Sequence, residues 1–147
     1  MIQFRVVIDS REQLPFGFVC PTVCRALDAG DYSVDGIEDQ VAVERKSLSD
    51  FAKTIVHDRE RFERELAKLE RYEAACIVVE ADLDRVLRGG CAAELHGVYP
   101  TSVLGAALQI TLKHRVPVFW CGSRQAASVF AETYLRMFVR LRAEGLP

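Results

Sequence analysis

Gly30-Asp31-Tyr32-Ser33-Val34-Asp35-Gly36, followed by Val41-Ala42-Val43-Glu44-Arg45-Lys46-Ser47, is the stretch that decides the fold. Asp35-Gly36 is the strongest hairpin signal in the chain, so Asp31 to Val34 and Val41 to Lys46 read as neighbouring antiparallel strands. Side chains alternate along a strand, which puts Val41 and Val43 on one face and Ala42, Glu44 and Lys46 on the other. Upstream, Phe4 to Ile8 is β-branched and apolar and runs into Asp9, giving a further strand with polar residues at its end. Residues 10–28 carry Pro15, Gly17 and Pro21 and read as a loop with one short helical turn at Val23 to Asp28.

Downstream, Ser47 offers an N-cap with Asp50 three residues on, for a helix through Phe51 and Ile55. The polar run His57-Asp58-Arg59-Glu60 interrupts it. A second helix follows, with Phe62, Leu66, Leu69 and Tyr72 at helical spacing. Ile77-Val78-Val79-Glu80 reads as a buried strand and Arg88-Gly89-Gly90 as a loop. Ser102 to His114 then reads as a helix, Val116 to Cys121 as a strand and Gln125 to Leu141 as a last helix. Three meandering strands followed by α-β-α-β-α predict an α/β three-layer domain: a central mixed β-sheet flanked by helices. At 147 residues the expectation is a single domain over 1–147.

With 19 Lys+Arg against 21 Asp+Glu the net charge is −2, which argues against coating nucleic acid by bulk charge and leaves any such contact to a local site. Half the residues are hydrophobic and 27% are charged, which excludes a disordered tail. No apolar run approaches the ~20 residues needed to cross a bilayer, and Met1-Ile2-Gln3 does not open a signal peptide, so no membrane partner is expected. Five scattered cysteines form an odd set. Cys20 and Cys24 lack CxxC spacing, so a zinc site from Cys20, Cys24, Cys91 and His96 is set aside in favour of free thiols. The expected compartment is cytoplasmic or nucleoid-associated.

The chemistry sits in acids at strand ends. Asp9 closes one strand, Asp31 opens the next and Glu44 lies near the end of the third. If those strands are neighbours, the three carboxylates converge at one sheet edge, an oxygen set suited to Mg²⁺ or Mn²⁺. Lys46, two residues past Glu44, points the same way. A cation-binding carboxylate beside an amine suits phosphodiester cleavage. Asp…Glu-x-Lys alone favours a solvated hairpin over an active site, because surface strands often carry it by chance.

The longer string is more specific. Ile8-Asp9-Ser10-Arg11-Glu12, Gly30-Asp31, Glu44-Arg45-Lys46 and Asp50, four residues after the lysine, resemble the nuclease domain of the XPF family. The segment Asp58-Arg59…Phe62-Glu63…Leu66…Leu69 resembles the helix after that signature, so the likeness runs over about residues 6–80. It implies a restriction-endonuclease-like fold and metal-dependent cleavage of DNA at branches, flaps or forks. By position, Asp9, Asp31 and Glu44 are the implied metal ligands, with the Arg45 carbonyl as an addition, and Lys46 is the catalytic lysine. Asp50 is carried over as an orienting acid or as a helix cap. Arg45 is expected to pair with an acid such as Asp50 or to reach DNA. Arg11 is carried over as a phosphate contact and Glu12 as a neighbour of the metal. Lys53, Arg59, Arg61 and Arg64 are candidate phosphate contacts, although Glu60, Glu63 and Glu65 between them make a solvated, salt-bridged helix face the better description of at least half.

The family usually carries a helix-hairpin-helix module after this domain and some members a helicase segment. Neither fits before Pro147, so a separate branch-recognition or helicase partner is expected. The resemblance also implies a homodimer through the C-terminal helices, where Val129, Phe130, Tyr134, Leu135, Met137, Phe138, Val139 and Leu141 give more apolar surface than one sheet can cover. A non-catalytic DNA-binding or scaffolding partner of another nuclease is the alternative.

Overall fold

A computed structural model describes residues 3–145; Met1, Ile2, Leu146 and Pro147 lie outside it, and with them the reading of the N-terminal start and of the outer limits of the domain. Six strands form one sheet: β1 (Val6–Asp9), β2 (Thr22–Arg25), β3 (Tyr32–Val34), β4 (Val41–Lys46), β5 (Ala74–Val79) and β6 (Val118–Trp120). Their order is β2-β1-β3-β4-β5-β6. β1, β3 and β4 are antiparallel neighbours, as the sequence predicts, while β2 joins β1, and β5 and β6 follow β4, in parallel.

Against the expected helical turn at Val23 to Asp28, Thr22–Arg25 is an exposed edge strand. Its β-branched Thr22 and Val23 pair with Val6 and Val7, and that ladder overrides the local turn signals. Helices α1 (Leu48–Val56) and α2 (Arg59–Leu69) break only at His57 and Asp58, a shorter interruption than the polar run suggests. A short α3 (Leu83–Leu87) and a single 3₁₀ turn (Ala92–Leu95) fill a stretch that the sequence left largely unread. The last helices are α4 (Pro100–His114) and α5 (Arg124–Ala143).

The alternation along β4 separates two cores. Ala42 joins Ile77, Val79, Leu48, Phe51, Leu66, Leu69 and Val103 under α1 to α4. On the other face Val41 and Val43 join Val6, Tyr32, Cys76, Val78, Ala127, Ala131 and Leu135 under α5. The domain is therefore the expected three-layer α/β fold. α5 is better covered than its composition suggests. Phe130, Tyr134, Phe138 and Val139 pack partly into the core, and its large exposed apolar residues are Val129 and Met137; α4, on the other face of the sheet, exposes Leu108 and Leu112.

Candidate active site

The antiparallel trio sets the site. The Asp9 amide donates to the Asp31 carbonyl at 2.8 Å, and the Asp31 amide to the Val43 carbonyl at 2.9 Å, so the acid-bearing segments lie side by side. Gly30 makes this approach possible. Its φ is +77°, and a Cβ there would stand 3.1 Å from Ala42 Cβ and 3.2 Å from the Val43 carbonyl oxygen. Ser47 caps α1, its Oγ accepting from the Asp50 amide at 3.1 Å, which turns the chain after β4 and lays α1 along the same edge.

The result is a cleft of about 530 Å³ lined by Asp9, Arg11, Asp31, Glu44, Lys46, Asp50, Lys53, Thr54, Asp58, Arg61, Phe62 and Glu65, with Gly30 at its base. Asp31 and Glu44 face one another on its inner wall. Burial, with the neighbouring acids adding to it, pushes the Asp31 carboxyl up to about 6 and that of Glu44 well above the usual carboxylate range. The Arg45 amide, donating to Asp31 Oδ2 at 2.7 Å, and the Lys46 ammonium oppose the shift only in part. Lys46 Nζ stands 3.9 Å from Glu44 Oε1 and 4.9 Å from the centroid of the Phe62 ring, which holds the amine over the cleft.

Asp9 departs from the expected cluster. It lines the same cleft, yet its oxygens are engaged: Arg11 Nε donates to Oδ2 at 3.0 Å, Arg11 Nη2 to Oδ1 at 3.1 Å and the Leu27 amide to Oδ1 at 2.9 Å. Burial would raise the Asp9 carboxyl, but these donors hold it below the usual range. Among the described residues no three Asp, Glu, His or Cys side chains sit close enough to hold a metal ion. The converging trio is thus a pair, Asp31 and Glu44, with Asp9 beside it under Arg11. That pair does fit a hard divalent cation: both donors are oxygens, both are largely withdrawn from solvent, and burial raises both carboxyls by more than one ammonium offsets.

Arg45 is the second correction. Its side chain reaches neither Asp50 nor the cleft. On the opposite face of β4, Arg45 Nε donates to Glu80 Oε1 at 2.6 Å and Nη1 lies 3.6 Å from Glu12 Oε1, while Arg124 Nη1 donates to the same Glu80 oxygen at 3.2 Å. Phe16 lies beneath both guanidiniums, 5.7 Å from Arg45 and 5.1 Å from Arg124, and Tyr32 Oη donates to Glu12 Oε2 at 3.3 Å. Glu12 therefore turns to this network rather than to the cleft. Of the expected phosphate contacts, Arg11, Lys53 and Arg61 line the cleft. Arg59 does not. It faces the groove between α2 and α4 and the α1–α2 turn, because it lies two positions before Arg61 on a helix and so some 200° round it.

Sequence reasoning missed the part played by Glu80 and Arg124. A signal for Glu80 was present: the residue just past an apolar strand, in parallel register with β4, falls on the side of Val78 and hence of Arg45.

The chain matches the ERCC4 domain model over residues 8–132. Among solved structures it is similar to XPF from Aeropyrum pernix, at 24% identity over 95% of this chain and 67% of that one, with a TM-score of 0.69. It is also similar to XPF from Aeropyrum pernix in complex with DNA, at 23% identity over 94% of this chain and 66% of that one, again with a TM-score of 0.69. These likenesses show the fold, and the chain spans about two thirds of those chains. No curated protein sequence matches it.

Proposed function

The chain belongs to the ERCC4 domain family, and from that premise we propose that it is a metal-dependent DNA endonuclease that hydrolyses phosphodiester bonds at branched, flap or fork structures. The observation that carries this reading is the buried Asp31–Glu44 pair with Lys46 on the same wall of one cleft. Asp31 and Glu44 would hold Mg²⁺ or Mn²⁺. When bound, such an ion polarises the phosphoryl oxygen and lowers the pKa of an attacking water. Lys46, steadied against Phe62, orients that water and stabilises charge growing on the phosphate oxygens. The Arg45 amide keeps Asp31 aimed into the cleft. Lys53 and Arg61 on α1 and α2 receive flanking phosphates, and Asp50 stands in the first turn of α1 beside them.

The same reading expects two copies to pair through the C-terminal helices, where Leu108 and Leu112 of α4 and Val129 and Met137 of α5 are exposed, and a separate partner to supply branch recognition. Cleavage of flap, fork and plain duplex DNA in Mn²⁺ tests the function. We expect turnover by the wild type and none by Glu44→Gln or Lys46→Ala, with DNA binding retained. Metal-independent, salt-sensitive binding without turnover by any of the three would assign the chain instead to a scaffolding role.

A further inference from the structure

Resting on the nuclease reading, one arrangement at the mouth of the cleft goes further. Asp9 is nearly buried, yet the partner across its carboxylate is the side chain of Arg11, 71% exposed. The two Asp9 oxygens are not held alike. Oδ1 takes the Leu27 amide as well as Arg11 Nη2, whereas Oδ2 takes Arg11 Nε, and the Arg11 backbone amide lies near enough to the carboxylate to help hold its pKa down. Withdrawing Arg11 therefore frees Oδ2 while the Leu27 amide still anchors the carboxylate. The bond from the Asp9 amide to the Asp31 carbonyl keeps the two acid-bearing segments side by side.

A guanidinium fork binds a phosphodiester as readily as a carboxylate, with the same bidentate geometry and similar charge-assisted strength. Arg11 Nη2 also donates to the Leu27 carbonyl at 2.6 Å, so the exchange has that bond to keep or replace, and the other phosphate contacts of a DNA strand tip the balance. We propose that Arg11 is an exchangeable latch. In DNA-free protein its fork withholds Asp9 Oδ2 from the Asp31–Glu44 pair, and a backbone phosphate entering the cleft takes the fork and adds Asp9 to the cation-binding set. The protein then binds its cation tightly only when DNA is in place, which keeps the free protein from assembling a full hydrolytic centre.

The test is a double-mutant cycle at Asp9 and Arg11, read by calorimetric Mn²⁺ titration of DNA-free protein, with thermal melting as the check on folding. Arg11→Gln is expected to raise Mn²⁺ affinity roughly fivefold in the wild-type background and less than about twofold in the Asp9→Asn background. A gain that survives in Asp9→Asn is plain removal of a positive charge and overturns the latch, as does no gain at all. Arg11→Lys keeps the charge but not the fork. It should recover most of the gain, whereas affinity equal to wild type overturns the proposal. In EDTA, Asp9→Asn should tighten binding of forked DNA through the released Arg11, and that tightening should vanish in the double variant; persistence in the double variant argues against exchange. The underlying reading fails separately, if Glu44→Gln leaves wild-type Mn²⁺ binding unchanged.

Discussion

Strand β4 presents two polar faces one residue apart, and they are built on opposite terms. On the Arg45 face positive and negative groups are matched. Arg45 lies between Glu80 and Glu12, Arg124 shares Glu80, and Phe16 packs beneath both guanidiniums. On the Glu44 face two carboxylates confront each other with one ammonium nearby, and burial pushes both towards protonation. The first arrangement secures the loop over residues 10–18, β4, the end of β5 and the start of α5 to one another. The second is unfavourable as it stands, and a bound cation would relieve it. A protein needs the matched face because it maintains the mismatched one. The network holds the Arg45 peptide, and the Arg45 amide holds Asp31 against the repulsion of Glu44.

The largest effect expected is on turnover. Glu44→Gln or Lys46→Ala should lower single-turnover cleavage in Mn²⁺ by about 10³-fold or more, the first by removing a cation ligand and the second by removing the amine that meets charge growing on the phosphate. The loss should come without a matching loss of DNA affinity by anisotropy. Glu80→Ala attacks the other face. It leaves the Arg45 guanidinium, 14% exposed, without its closest partner, and should cost about 2–3 kcal/mol in urea unfolding. Its effect on cleavage should follow from displacement of Asp31 and be largely restored by Glu80→Gln, which still accepts from Arg45.

Stability should respond with the opposite sign on the cleft face. A carboxyl whose pKa is raised by folding binds its proton more tightly in the native state than in the unfolded chain. That contribution to stability is fully present below the unfolded pKa and is lost as pH rises from there through the folded one. For the pair that includes Asp31, at about 6, metal-free protein should become less stable from pH 5 to pH 8. Glu44→Gln should flatten that slope and raise stability at pH 8 by about 1–3 kcal/mol. Thermal melts in EDTA across this range check it. A variant less stable than the wild type at pH 8 would show that the two faces do not differ in the way described.

The meander, both cores and the cleft wall were legible because they depend on period-two alternation and a strong turn signal. Val41 and Val43 against Ala42, Glu44 and Lys46 is read directly from a strand, as is the cap at Ser47. What escaped depended on pairing that a single sequence does not encode locally. The strand at Thr22–Arg25 exists because β1 offers it a ladder. Asp9 reads as a ligand by position, but Arg11 and Leu27, two and eighteen residues away, claim its oxygens. The true partners of Arg45 are 33 residues upstream and 35 downstream, at Glu12 and Glu80, whereas the acid expected to pair with it, Asp50, sits in the first turn of α1 and lines the cleft.

The smallest effect separates cations that face DNA from cations that hold the fold. Lys53 and Arg61 line the cleft, whereas Arg124, equally positive, is spent on Glu80 and on the Leu14 and Pro15 carbonyls at 2.5 and 3.0 Å. Each phosphate contact contributes its own released counterions, so removing one should reduce the log–log salt dependence of binding by about 0.7–0.9 and weaken affinity a few-fold at moderate salt. Lys53→Ala and Arg61→Ala should both show this in anisotropy titrations over increasing KCl. Arg124→Ala should shift thermal stability and leave the salt slope at the wild-type value, because its charge is already compensated within the protein. If Arg124→Ala lowered the slope as much as Lys53→Ala, the matched face of β4 would be a second DNA surface, and the division of labour along this strand would have to be redrawn.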